Sequence, residues 1–213
     1  MLRVKICGML DSTNVERIAA LKPDFLGLIF AKSSPRYVGD SLSIDFVKSI
    51  KTECGWVGVF RDEPIASLID IVARFELSYI QLHGSESPDY CREILKHSPN
   101  IKIIKAFGID DAIPDTSYFN GLLFAVLFDT KSPSGGGTGK QFDWNLVYQY
   151  TSPTPFLLSG GIRPDDGPRL IEISKNHNSM LGVDLNSCFE TTAGIKSPEI
   201  VSKFITSIRG ARQ

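Results

Sequence analysis

Residues 156–187 read FLLSGGIRPDDGPRLIEISKNHNSMLGVDLNS, and this stretch decides the fold. Two short apolar runs, Phe156–Ser159 and Gly182–Leu185, stand on either side of a longer segment in which a helix is expected. A strand, a glycine-containing loop, a helix and a second strand form a β–α–β unit, and such a crossover makes its two strands parallel. The stretch therefore predicts a parallel sheet.

The same alternation recurs along the chain, and eight units can be counted. The first six predicted strands are Arg3–Cys7, Phe25–Phe30, Trp56–Phe60, Tyr79–Leu82, Lys102–Ala106 and Leu122–Phe128. Helices are expected to begin after Asp40-Ser41 in the second unit and after Ser197-Pro198-Glu199 in the last. The fifth unit is the weakest, because Asp110–Asn120 is short and contains Pro114, so we expect a degenerate helix there.

Eight β/α units predict a (β/α)8 TIM barrel, an α/β fold, and we expect residues 1–213 to form a single domain. An open doubly wound sheet is the alternative. Such a sheet usually has a glycine-rich fingerprint after its first strand, whereas this chain has KICGM at 5–9. The barrel rule then places the active site at the carboxyl ends of the strands.

The composition is that of an ordinary globular enzyme, with 42% apolar and 22% charged residues. A formal net charge of −1 gives no field that would collect polyanions, so we expect no nucleic-acid partner. No segment approaches the roughly 20 apolar residues of a membrane helix, and MLRVKICG is too short an apolar start for a secretory signal. The four cysteines have no paired spacing and predict reduced thiols, which suits the cytoplasm.

The first strand offers a candidate base. Alternation puts Lys5 and Cys7 on the barrel's inner face, about 7 Å apart along the strand. A nearby cation favours the thiolate form of a cysteine. The alternative is that Cys7 is a small packing residue, the role that we expect for Cys54, Cys91 and Cys188.

Asp129 is the candidate acid, because it ends the otherwise apolar sixth strand just before a glycine-rich loop, Ser132–Lys140. The alternative is a helix cap or a salt-bridge partner.

Two loops are candidates for phosphate binding. Ser159, Gly160 and Gly161 follow the seventh strand, where glycines allow close backbone approach and the following helix supplies a dipole. The loop after the eighth strand, with Asn186 and Ser187, could complete the cradle, and Gly135–Gly137 could close it from above.

Further candidates stand at the ends of other strands. Gln81 and His83 face inward after the fourth strand, and Arg36, after the second, offers a planar fork that suits a carboxylate. The alternative for His83 is a histidine of the core or rim whose hydrogen bonds are all made to neighbouring residues, and the alternative for Arg36 is an ordinary surface arginine. No cluster has metal-ligand spacing and no dinucleotide motif is present, so we expect no metal and no redox cofactor.

Nine short strings, in order, resemble those of phosphoribosylanthranilate isomerase of tryptophan biosynthesis, and together they span nearly the whole chain. They are KICG at 5–8, DFLGLIF at 24–30, SPRYV at 34–38, GVF at 58–60, QLHG at 81–84, LFDT at 127–130, GGTGK at 136–140, LSGGI at 158–162 and GVDLNS at 182–187. Related barrels that bind phosphorylated sugars share the glycine loops but lack the KICG opening.

The resemblance implies a cofactor-independent Amadori rearrangement of N-(5′-phosphoribosyl)anthranilate to 1-(2-carboxyphenylamino)-1-deoxyribulose 5-phosphate. It implies that Asp129 is the general acid and Cys7, as thiolate, the general base. It further implies that Arg36 holds the anthranilate carboxylate. The implied phosphate ligands are Gly137, Ser159, Gly160, Gly161, Asn186 and Ser187, and Asp184 lies near the site without an assigned role.

The chain departs from the family pattern in its eighth loop, where Cys188 stands in place of a glycine and Ala193 in place of a proline. If position 188 needs a positive φ, phosphate affinity falls. Two other functions stay open: a different phosphosugar isomerase or epimerase, and a phosphate-binding barrel without activity. The expected partner is a small phosphorylated substrate, and the sequence leaves monomer and homodimer equally open.

Overall fold

A closed barrel of eight parallel strands forms the centre of the protein. The structure is a computed structural model and describes residues 1–39, 41–50, 52–131 and 141–210. The barrel strands are β1 (Arg3–Ile6), β2 (Phe25–Ile29), β3 (Gly55–Phe60), β4 (Tyr79–Leu82), β5 (Lys102–Ile109), β6 (Ala125–Thr130), β7 (Phe156–Leu158) and β8 (Met180–Leu185). The predicted barrel is confirmed, and β1 closes it by pairing Lys5 with Asp184 of β8.

Six α-helices surround the barrel: α1 (Ser12–Ala19), α2 (Ile44–Ser49), α3 (Ile65–Phe75), α4 (Pro88–His97), α5 (Gly167–Asn176) and α6 (Pro198–Arg209). In the fifth unit a 3₁₀ turn, Ser117–Phe119, confirms the expected degenerate helix, and the sixth unit also has a 3₁₀ segment, Trp144–Gln149. After β8 a two-stranded hairpin, β9 (Glu190–Thr192) and β10 (Ile195–Lys196), precedes α6.

Several predicted boundaries were wrong. The second helix begins after Ser43, whose side chain accepts a hydrogen bond from the Phe46 backbone, and not after Asp40-Ser41; Asp40 itself lies outside the described residues. The sixth strand begins at Ala125 because Leu122 is still held in the preceding turn by the Phe119 carbonyl. The last helix does begin after Ser197, which accepts from Ile200, with Pro198 in the first turn.

Strand alternation divides the core into two layers. Val4 and Ile6 pack outward against the helices, in one cluster with Leu26, Leu28 and Phe128. A second cluster fills the barrel interior with Phe25, Val57, Ile104, Ala106, Ala125, Leu127 and Leu157. The inward-facing side chains at the carboxyl ends of the strands therefore lie on top of this apolar interior cluster, and the cavity opens to solvent at that end.

Candidate active site

A cavity of about 410 Å³ opens at the carboxyl ends of the barrel strands. Eleven of the twelve residues predicted for the site line it: Cys7, Arg36, Gln81, His83, Asp129, Ser159, Gly160, Gly161, Asp184, Asn186 and Ser187. The twelfth, Gly137, belongs to residues 132–140, which lie outside the described residues, as does the rest of the glycine-rich loop after β6. One cavity thus brings together residues from six different units of the sequence.

Cys7 lies at the cavity wall directly above a buried ion pair. Lys5 is fully buried, and its Nζ lies 2.9 Å from Oδ1 of Asp184. Burial raises the pKa of the Cys7 thiol, although the Lys5 ammonium acts in the opposite direction. The expected orientation of Lys5 and Cys7 is confirmed. Because burial outweighs the cation, the side chain is a thiol near neutral pH in this structure, contrary to what Lys5 alone suggested.

Asp184, which had no role assigned from the sequence, is the counter-ion of Lys5. Burial raises the pKa of its carboxyl, and Lys5 acts against that rise. The pKa of Lys5 lies above its ordinary value: burial lowers it, but the charges of Asp184 and Cys7 more than compensate. A buried carboxylate with this partner fixes the ammonium below the thiol and keeps the charge balanced.

Asp129 stands across the cavity in a chain of polar contacts. Its Oδ2 lies 3.3 Å from Nε2 of His83, and its Oδ1 accepts a 2.9 Å hydrogen bond from the Thr130 backbone. His83 Nδ1 in turn lies 3.1 Å from Nε2 of Gln81. Since an amide nitrogen only donates, Gln81 makes Nδ1 the acceptor and leaves the ring N–H on Nε2, the nitrogen that faces Asp129. The carboxylate therefore has one fixed orientation toward the cavity.

The loop after β7 approaches β6 too closely for any side chain. Gly160 has a φ of +83°, and a Cβ there would collide with Thr130 and lie 3.2 Å from Oδ1 of Asp129. Gln141 braces the loop by donating to the Gly161 carbonyl at 3.0 Å and to Asp166 at 2.6 Å. The backbone at Gly160 and Gly161 is thus held open to the cavity.

The expected helix dipole is not placed directly behind this loop. A 3₁₀ turn, Pro164–Asp166, separates it from α5, which begins at Gly167. The Asp166 side chain accepts a 2.6 Å hydrogen bond from the Arg163 backbone N–H, so this donor of the turn is satisfied within the turn. Backbone N–H groups of the loop are therefore the main source of positive potential for an anion.

Cys188 stands at the position of the eighth loop where the family pattern has a glycine. It lies in a 3₁₀ turn, Ser187–Phe189, and the non-glycine residues with positive φ in the described chain are Lys22, Asp62 and Glu76, so position 188 does not require glycine. Cys188 is half-buried at the cavity wall and also packs against the hydrophobic core, so the expected packing role holds for it as it does for the buried Cys54 and Cys91. All four cysteines are free thiols.

Arg36 is not a free surface arginine, because Glu190 occupies one edge of its guanidinium. Arg36 Nε donates to Oε1 of Glu190 at 2.8 Å, and Nη2 donates to Oε2 at 2.6 Å. The fork that was expected to hold a ligand carboxylate along this edge is filled by the protein. Glu190 does not use Nη1 or the outer hydrogen of Nη2, and Arg36 lines the cavity.

Glu190 and its second partner, Lys196, are functional residues that the sequence analysis missed. Lys196 Nζ lies 2.5 Å from Oε1 of Glu190, and both side chains are buried. Their signal in the sequence was weak, since an acidic and a basic residue six positions apart after the last strand resemble many surface hairpins.

The described residues show neither a metal site nor a membrane-spanning helix. Within the described ranges, no group of three or more His, Cys, Asp or Glu side chains could hold a metal ion. Among the helices in the described part of the chain, none has both the length and the apolar character needed to cross a membrane.

Comparison with known proteins identifies relatives of this architecture. A family model described as N-(5′-phosphoribosyl)anthranilate (PRA) isomerase matches residues 4–207. An N-(5′-phosphoribosyl)anthranilate isomerase of Parabacteroides distasonis is 36% identical over 208 residues, covering 96% of this chain and 92% of its own.

Solved structures agree. The phosphoribosyl anthranilate isomerase of Thermotoga maritima is 30% identical, with a TM-score of 0.82, and the match covers 99% of this chain and all of that one. A phosphoribosyl anthranilate isomerase in complex with reduced 1-(o-carboxyphenylamino)-1-deoxyribulose 5-phosphate is 27% identical, with a TM-score of 0.76 and the same coverage. Fold and sequence thus point to one family.

Proposed function

Because the chain belongs to the N-(5′-phosphoribosyl)anthranilate isomerase family, we propose that it converts N-(5′-phosphoribosyl)anthranilate to 1-(2-carboxyphenylamino)-1-deoxyribulose 5-phosphate. The single observation that carries the proposal is that a thiol, Cys7, and a carboxylate, Asp129, face one cavity from opposite sides of the barrel. An Amadori rearrangement needs one acid and one base on either side of a sugar.

In the proposed mechanism Asp129, in its protonated form, donates a proton to the furanose ring oxygen. The C1′–O bond breaks, the nitrogen lone pair forms a C1′=N double bond, and a protonated Schiff base results. Cys7, as thiolate, then removes the C2′ proton, and the C2′–H electrons move to give the enolamine. The enolamine becomes the ketone as C1′ gains a proton and the C2′ hydroxyl loses one. Cys7 ends as a thiol and Asp129 as a carboxylate, and solvent carries one proton from the first back to the second, so atoms and charge balance without a redox cofactor or a metal.

The surrounding residues support these two steps. Lys5 stabilises a thiolate at Cys7 electrostatically and through a side-chain hydrogen bond. His83 Nε2 lies 3.3 Å from Oδ2 of Asp129 and the Thr130 backbone donates to Oδ1, and these two contacts hold the carboxyl group toward the sugar. We assign the phosphate to the backbone at Ser159, Gly160 and Gly161 with Asn186 and Ser187, and extend it to Gly137 from the sequence alone. Arg36 takes the anthranilate carboxylate.

The proposal extends to the protein's setting. We expect one barrel domain with a small phosphorylated substrate as its partner, no nucleic acid and no membrane, and a cytoplasmic location. The oligomeric state, monomer or homodimer, can be measured by light scattering after size-exclusion chromatography.

The direct test is turnover of the proposed substrate. Freshly generated phosphoribosylanthranilate is mixed with the purified protein, and the loss of anthranilate-type fluorescence is followed. Ribose 5-phosphate and ribulose 5-phosphate are offered in parallel. Turnover of the anthranilate compound alone supports the proposal. Turnover of a simple pentose phosphate points to the alternative isomerase, and phosphate binding without any turnover points to the inactive barrel.

A further inference from the structure

The Glu190 carboxylate lies at the centre of a buried cluster behind Arg36. Its Oε1 accepts hydrogen bonds from Arg36 Nε at 2.8 Å, from the Gly194 backbone at 2.9 Å and from Lys196 Nζ at 2.5 Å, and its Oε2 accepts from Arg36 Nη2 at 2.6 Å. Burial acts to raise the pKa of this carboxyl, but Arg36 and Lys196 outweigh it and the pKa lies below its ordinary value. Glu190 is therefore an anion whose oxygens are fully used.

Lys196 connects this cluster to the loop that follows β8. Its Nζ also donates to Oδ1 of Asn186 at 2.7 Å, in the loop that follows β8. Its backbone is fixed by Asn14 of α1, which donates to the Lys196 carbonyl at 2.8 Å and accepts from its N–H at 2.9 Å. The hairpin that carries Glu190 and Lys196 is thus anchored to a helix and cannot drift relative to the barrel.

Gly8 provides the space in which Arg36 and Asn186 meet. It has a φ of +76°, and a Cβ at this position would lie 2.7 Å from Cδ of Arg36 and 3.1 Å from Oδ1 of Asn186. The Arg36 stem therefore packs directly on the backbone next to Cys7. Rotation of the guanidinium would break its two hydrogen bonds with Glu190.

We propose that Glu190 and Lys196 are positioning residues for substrate recognition. Glu190 occupies the Nε and Nη2 edge of Arg36 so that the remaining edge binds the substrate carboxylate. Lys196 ties this carboxylate subsite to the phosphate subsite at Asn186. This inference rests on the proposed function and adds residues that do not themselves touch the substrate.

The charges of the cluster agree with that role. With Lys196 protonated, two cations and one anion leave one positive charge, which is the complement of one ligand carboxylate. Without Glu190, two buried cations would repel one another and the guanidinium could turn either edge to the cavity. Lys196 and Asn186 together set the distance between the two anionic groups that a substrate must present.

Glu190→Gln is the informative variant, because it changes one contact and keeps the shape. The single oxygen of the new amide can still accept from Arg36 Nε, the Gly194 backbone and Lys196, whereas the amide NH₂ would face Nη2 of Arg36, and two donors repel. Arg36 loses one of its two bonds and its fixed orientation. We expect KM for phosphoribosylanthranilate to rise about tenfold while kcat stays within about twofold, since the carboxylate is bound equally before and during the reaction.

A double-mutant cycle with Arg36→Met separates positioning from general stability. If Glu190 acts through Arg36, Glu190→Gln changes KM by less than about twofold once Arg36 is replaced by methionine. Asp24→Asn is the matched control: Asp24 forms a 2.7 Å ion pair with Arg209 at the amino end of the barrel, so its loss leaves KM unchanged. Glu190→Asp, which keeps the charge but withdraws it by one methylene, should raise KM severalfold.

The outcomes distinguish the inference from the function on which it rests. If the wild-type protein does not turn over the substrate, the proposed function fails and the inference falls with it. If the wild type is active and Glu190→Gln retains its KM, or raises KM equally with and without Arg36, the positioning role is wrong. If neither Glu190 variant folds, the cluster is a folding element and the positioning role is rejected as well.

Discussion

The two ends of the barrel are built from opposite chemistry on the same strands. At the amino end, Phe25, Tyr79 and Phe124 pack edge to face with ring centroids 5.0–6.4 Å apart, and Arg3 lies over two of these rings. At the carboxyl end the inner positions hold ions and hydrogen-bonding groups, with Lys5 and Asp184 buried. Polar burial costs stability unless each group is paired, and at this end Lys5 and Asp184 pair with each other.

The two ends of the barrel should therefore respond differently to substitution. Changes at the carboxyl end should alter turnover more than stability, and changes at the amino end should do the reverse. Four substitutions and one control variant test that division.

The largest expected effect is at Asp129. Asp129→Asn cannot donate the proton that opens the furanose ring, so kcat should fall by about 10²–10⁴-fold, the usual contribution of a positioned acid. Stopped-flow fluorescence on the folded variant measures it. The melting temperature should stay close to that of the wild type, and a variant with near-wild-type kcat would remove Asp129 from the mechanism.

Phe124→Ala tests the amino end. The ring contacts Phe25, Tyr79 and Arg3, and its loss should lower the free energy of unfolding by about 3 kcal/mol, at the low end for Phe→Ala because the ring is only half-buried. Urea unfolding gives this value. Turnover per folded molecule should be unchanged, and a large fall in kcat would break the division between the two ends.

Lys5→Met tests the buried cation beneath Cys7. Lys5 lowers the pKa of the thiol against the effect of burial, so its removal raises that pKa further. Since the base is the thiolate, turnover increases as pH rises through the Cys7 pKa, and in the variant this rising limb should move to higher pH.

Lys105→Met is the control for that experiment. Lys105 is also a buried lysine, 3.1 Å from Glu86, but it lies on the helix side of β5. Its loss should lower stability and leave the midpoint of the pH profile in place. Equal pH profiles for Lys5→Met and wild type would show that Lys5 does not act on the base.

The smallest expected effect is at Asp24. The ion pair with Arg209 is partly exposed, with side chains 34% and 24% exposed, and such pairs contribute about 0.2–1 kcal/mol. Asp24→Asn should lower the free energy of unfolding by no more than this, and raising the salt concentration should reduce the difference. A loss as large as that of Phe124→Ala would contradict the assignment of this pair to the surface.

The fold, and the inward position of some site residues, could be predicted because both depend on local sequence patterns. Period-two alternation in β1 placed Lys5 and Cys7 inside the barrel, and the structure confirms it. Strand ends were less predictable: β5 continues to Ile109 because it pairs with β6 as far as Thr130, and that partner is remote in the sequence.

The parts that could not be predicted depend on barrel closure. Lys5 meets Asp184 only because β1 pairs with β8 in one register, and Arg36 meets Glu190 across 154 residues of sequence. No local pattern carries either contact. The same holds for the pKa of Cys7, since burial, which a sequence does not display, outweighs the cation that the sequence does display.

The most direct test of the central claim, that Cys7 is the base of this site, is the turnover of Cys7→Ala beside that of wild type and Cys91→Ala. Cys91 is an equally buried cysteine in α4 and lies outside the cavity wall. Phosphoribosylanthranilate fluorescence should decay with wild type and with Cys91→Ala, and persist with a folded Cys7→Ala that still binds inorganic phosphate. Near-wild-type decay with Cys7→Ala would contradict the account.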